Sequence, residues 1–124
     1  MNLDTLRAVC RFSELPNPGA RAFTAGSGAW PLKGLVVRRD ARVYAYVNRC
    51  PHAGHPLNWQ AHEFLSPDRK LLMCRSHGAR FDIGTGLCVI GPCAGAYLQG
   101  IAVRIEHDYV MLEEDPDALA ARFA

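Results

Sequence analysis

CPHAGHPL, residues 50–57, is answered farther along the chain by CRSHGARFD, residues 74–82. Each stretch sets one cysteine beside one histidine, first as C-x-H (Cys50, His52) and then as C-x-x-H (Cys74, His77). Zinc knuckles and fingers usually group their cysteines in one turn and their histidines in another. Here each loop is mixed. That pattern suits two metals held between two loops, with both thiolates on one and both imidazoles on the other. Gly54, Gly78 and Pro51 permit the tight turns that such loops need.

Around these loops the chain reads as β structure. GLVVRR from Gly34 and RVYAYVN from Arg42 are β-branched and aromatic runs parted by Asp40 and Ala41, a hairpin in which Val43, Ala45 and Val47 share a face. KLLMC leads into the second loop, and FDIGTGLCV has a Gly-Thr-Gly turn at its middle. GIAVRIEHDYVMLEE reads as two strands around His107 and Asp108, and a first strand is expected near LRAVCRF. ELPNPGARAF has the proline and glycine content of a surface loop. Short strands with frequent turns indicate a sandwich or barrel. Only DPDALAARFA departs from this, with Asp115 as the cap of a short helix and Pro116 at its first position.

Composition narrows the function. The 124 residues are 49% hydrophobic and 21% charged with a net charge of +2, globular proportions that suit one domain over 1–124 and offer no nucleic-acid footprint. No apolar run reaches the length of a membrane span and no signal-peptide pattern opens the sequence, so a soluble, cytoplasmic protein is expected. Five cysteines are an odd number for a disulfide framework and read better as ligands or buried thiols.

The double motif resembles the Rieske iron–sulfur proteins, above all their soluble ferredoxins. The likeness rests on Cys50, Pro51, His52, Gly54 and Leu57, on Cys74, His77, Gly78, Phe81 and Asp82, and on GTGLCVIGPCAG, where Gly91 and Pro92 match a proline loop that covers the cluster. It implies an all-β fold: an antiparallel β-sandwich with a cluster-binding subdomain inserted at about 48–95. It also implies one [2Fe–2S] cluster, with Cys50 and Cys74 on the inner iron and His52 and His77 on the outer. The spacing of twenty-one residues between His52 and Cys74 is longer than is common in the family, with the excess in QAHEFLSPDRK. Loop closure entropy grows slowly with length, so the excess does not threaten the site.

High-potential members tie the two loops with a disulfide, whose positions here hold His55 and Ser76, and donate hydroxyl hydrogen bonds from positions that here hold Ala79 and Phe81. The resemblance therefore implies a low-potential centre. The function expected is a ferredoxin-like carrier passing single electrons from a reductase to an oxygenase or other acceptor, with no substrate, nucleic acid or membrane partner of its own. The alternatives are an accessory subunit of a larger oxidoreductase, such as the small subunit of nitrite reductase, and a structural zinc module. Leu57, Pro92, Ala94 and Gly95 are expected to form a docking face with Arg75 and Arg80 at its rim. His55 is read as a neighbour of the ligands, His62 and His107 as solvated, and Cys10 and Cys88 as buried thiols. Cys93 is read as packing or cluster cover, and Trp30 and Trp59 as core or lid aromatics. Pairing Cys88 with Cys93 in a disulfide is disfavoured by the reducing compartment.

Overall fold

The computed structural model describes residues 6–51 and 54–123. Ten strands, β1 (Ala8–Arg11), β2 (Gly19–Ala25), β3 (Leu32–Arg39), β4 (Arg42–Val47), β5 (Leu72–Met73), β6 (Arg80–Phe81), β7 (Cys88–Ile90), β8 (Gly100–Ile101), β9 (Val103–Glu106) and β10 (Tyr109–Leu112), precede a helix, α1 (Pro116–Arg122). They form three antiparallel sheets: β1-β10-β9, β2-β3-β4-β8 and β5-β6-β7.

The four-stranded sheet lies in the middle, which explains the continuous apolar run in β3. Leu35 and Val37, with Tyr46 of β4, pack toward the cysteine loops, whereas Val36 packs with Val110 of β10. Ala45 and Val47 join Leu112 and Leu119 on that same far side, with Val43 against the Val36 group. A strand covered on both faces has no polar face to alternate with. The shared face of Val43, Ala45 and Val47 is as the sequence predicts.

Both expected hairpins close on two residues. Arg39 pairs with Arg42 across Asp40 (φ 56°), and Glu106 pairs with Tyr109 across His107 and Asp108, both with positive φ. Short polar side chains tolerate that backbone and match the strand twist. The Asp115 carboxylate accepts from the Ala118 N–H at 3.0 Å, and Pro116 opens α1, as expected. One reading fails. GARAF is strand rather than loop, because β2 pairs with β3 over its whole length from Gly19↔Arg38 to Ala25↔Leu32.

β4 and β8 are hydrogen-bonded neighbours, Ala45 opposite Ile101, although residues 48–99 lie between them. That excursion carries both cysteine loops and the β5-β6-β7 sheet. It is anchored by Tyr46, whose hydroxyl donates to the Ile83 carbonyl at 2.6 Å. No helix among the described residues is long and apolar enough to cross a membrane.

Candidate functional site

The two cysteine loops close in the same way. The Gly54 N–H donates to the Cys50 carbonyl at 2.8 Å and the Cys50 N–H to the His55 carbonyl at 2.7 Å. In the second loop the Gly78 N–H donates to the Cys74 carbonyl at 2.9 Å and the Cys74 N–H to the Ala79 carbonyl at 2.8 Å. Gly54 and Gly78 share φ 72°, a left-handed conformation that costs glycine little. CPHAG and CRSHG are thus two copies of one turn, with histidine third in the first and fourth in the second. The pattern recurs at Asp82: Gly86 donates to the Asp82 carbonyl and Asp82 to that of Leu87, both at 2.9 Å. This third copy carries no cysteine, and the Asp82 carboxylate instead accepts from the Thr85 N–H and hydroxyl.

The turns bury the thiols of Cys50 (1% exposed) and Cys74 (0%) and leave His77 at the surface. His52 lies outside the described residues. The two loops are joined by the Arg75 N–H, which donates to the Leu57 carbonyl at 2.8 Å, and the first is closed at its base by Asn48, whose Oδ1 accepts from the Leu57 N–H at 2.8 Å. From the side, Gly91 approaches Ala79 so closely that a Cβ there would sit 2.8 Å from the Ala79 Cα. Exposed Pro92, Ala94 and Gly95 follow, so the proline loop abuts the second cysteine loop.

Cys93 points inward from that loop. Its Sγ lies 3.1 Å from Cys88 Sγ, with the Cys93 thiol as donor. Burial foremost, then the Cys88 contact and Cys50, pushes the Cys93 thiol up to about 12. No disulfide joins any of the five cysteines, and Cys10 is buried in the far core.

Several expected surface residues are placed otherwise. Leu57 is wholly buried and cannot line a docking face. Arg75 is no rim group: its guanidinium is half-buried, pairs with Glu63 at 2.9 Å and donates to the Leu65 carbonyl at 3.0 Å. His62 is exposed, as expected, with its Nδ1 accepting from the Ala22 N–H at 3.0 Å. Trp30 and Trp59 are 84% and 74% exposed, neither core nor lid. Arg80 is half-buried in β6, and Phe81 is fully buried beneath the second loop. His55 contributes its carbonyl to the first turn while its side chain faces solvent, and His107 is exposed, as read.

Sequence reasoning missed what the long segment before Cys74 does. Phe64 enters the core beside Cys50 and Cys74, Ser66 is buried, and Arg69 donates to the Pro18 carbonyl. The unbroken FL in HEFLSP is the signal that could have shown it. A groove of about 570 Å³ along this segment is lined by Arg21, His62, Glu63, Arg69 and Arg75, away from the candidate ligands.

The donor set fits a two-iron cluster. Soft thiolates belong with iron and sulfide, and paired loops present thiols from below and an imidazole from the surface.

Comparison with known proteins agrees. The family model for the Rieske [2Fe–2S] domain matches residues 5–113. Similar solved structures include the ferredoxin of carbazole 1,9a-dioxygenase from Nocardioides aromaticivorans IC177 (24% identity, TM-score 0.66, 85% of this chain and 93% of that one). The Sphingomonas yanoikuyae B1 ferredoxin is alike at 22% identity and TM-score 0.66, over 86% of this chain and 96% of that one. The terminal oxygenase of carbazole 1,9a-dioxygenase from Novosphingobium sp. KA1 matches at 21% identity and TM-score 0.68, over 92% of this chain but 33% of its own. No curated protein matches the chain. With the family model spanning all ten strands and both cysteine loops, the chain belongs to the Rieske [2Fe–2S] domain family, whose one cluster is its cofactor.

Proposed function

We propose that this protein is a ferredoxin-like electron carrier, in which Cys50 and Cys74 hold the inner iron of the cluster and His52 and His77 the outer. The observation that carries the reading is the matched pair of turns, which sinks both thiols and leaves His77 at the surface of a loop that Gly91 of the proline loop abuts at Ala79. The cluster, when bound, stores and releases one electron. The chain itself keeps water from the thiols through Leu57, Phe64, Phe81 and Leu98, and offers a small exposed face of the kind that suits brief redox encounters. One of the similar structures is a complex of oxygenase and ferredoxin in carbazole 1,9a-dioxygenase, which supports an oxygenase as the acceptor. A reductase is the natural donor, the carrier acts on no substrate alone, and the cytoplasm is the proposed compartment. Within one unit over 1–124, residues 48–95 form the cluster-binding part.

The test is visible absorption and electron paramagnetic resonance of anaerobically purified, dithionite-reduced protein, with iron and sulfide analysis on the same sample. Two irons and two sulfides per chain, with the low average g-value of histidine-ligated clusters, are expected. Cys74→Ala should abolish the signal, and stoichiometric zinc without sulfide would overturn the reading.

A further inference from the structure

Cys88 and Cys93 lie five positions apart on β7 and the loop that follows it, and the backbone closes the segment between them. Gly95 donates to the Cys88 carbonyl at 2.9 Å, Cys88 to that of Ala96 at 2.8 Å, and Ala96 to that of Cys93 at 2.9 Å. Their sulfurs stand 3.1 Å apart, about 1 Å more than a disulfide bond of about 2.05 Å. The Cys88 proton points elsewhere, to the Ile90 carbonyl at 3.3 Å, so the face of its sulfur toward Cys93 is an acceptor face. Cys88 is sealed in the core, whereas Cys93 is 8% exposed between the exposed Pro92 and Ala94.

We propose that Cys88 and Cys93 form a reversible redox pair, closed to a disulfide by small-molecule disulfides and reopened by dithiols. In the forward direction the Cys93 sulfur gives up its proton and attacks one sulfur of the small disulfide. That S–S bond breaks, and one small thiol leaves with the electron pair and takes up a proton. Cys88 then loses its proton and attacks the Cys93 sulfur, expelling the second small thiol. Two protein thiols are oxidised by two electrons, and one small disulfide is reduced to two thiols.

The pair can be read chemically because Phe81–Arg104 is one tryptic peptide holding Cys88 and Cys93 and no other cysteine. Protein whose iron, sulfide and spectrum have been measured is incubated with oxidised glutathione, denatured, alkylated and digested. The expected peptide is lighter by two hydrogens than its thiol form, unalkylated, and fully alkylatable after dithiothreitol. Cys10, also 8% exposed but in β1, should stay alkylatable throughout on Ala8–Arg11. Cys88→Ala should stop at a glutathione adduct on Cys93. A peptide that stays doubly alkylated, or a wild-type protein that stops at the mixed adduct, would overturn the proposal. Absence of iron and sulfide would instead count against the cluster reading, with the pairing still decided by the peptide.

Discussion

At the scale of the residue, two side-chain environments make sharp predictions. Tyr46 is buried beneath the excursion that carries the loops, and its phenol is pushed up to about 12 by burial, with Asp82 adding to the effect. A raised folded value favours the neutral phenol, so its contribution is complete below the ordinary value of about 10 and is lost as pH climbs from there toward 12. Tyr46→Phe removes the donor to the Ile83 carbonyl and should cost about 1–2 kcal/mol at neutral pH. Urea denaturation at neutral pH and near pH 11 should show the mutant's deficit shrinking as the wild-type phenol ionises. The second is Gly91, at φ 106° and pressed on Ala79. Gly91→Ala should cost about 1–3 kcal/mol from backbone strain and overlap, measurable in the same denaturation. The glycine turns were legible in CPHAG and CRSHG, because a left-handed closing residue leaves few choices. The burial of Leu57 and the engagement of Arg75 were not, since both depend on groups brought from elsewhere in the chain.

Among the elements, α1 is tied to the segment after β2 by Asp117 as well as by its buried Leu119. Asp117, in its first turn, accepts from the Ser27 N–H at 2.7 Å and from the Ser27 hydroxyl at 3.0 Å. Those bonds, the backbone one first, hold its carboxyl below the usual range. A depressed folded value gives stability that is present above the unfolded carboxylate value and is lost as pH falls through the folded one. Amide exchange at Ser27 and in α1 should therefore accelerate on acidification, and Asp117→Asn should flatten that dependence. The helix itself was readable from Asp115-Pro116, a local stop-and-start signal. β2 was not, because Gly19–Ala25 has weak strand propensity and owes its conformation to the ladder that β3 provides.

For the whole molecule, the surroundings of the loops set the potential. Ala79 and Phe81 are both fully buried where high-potential relatives would place hydroxyl donors, as the resemblance implies. A redox titration of the cluster-loaded protein should give a midpoint below about 0 mV, in the lower part of the roughly −150 to +300 mV Rieske span. Arg75, tied to Glu63 within the long segment, offsets little of this, since its charge is already paired. The turns, the hairpins, the capped helix and the residue types at the site could be read from local pattern, because each depends on neighbours within a few positions. Which apolar residues stay at the surface, how the long segment before Cys74 fills the core with Phe64, and that Cys88 and Cys93 meet at 3.1 Å emerged from the folded chain. Burial is set by packing between distant segments, and the sulfur contact by the path of the proline loop, neither of which a local pattern records.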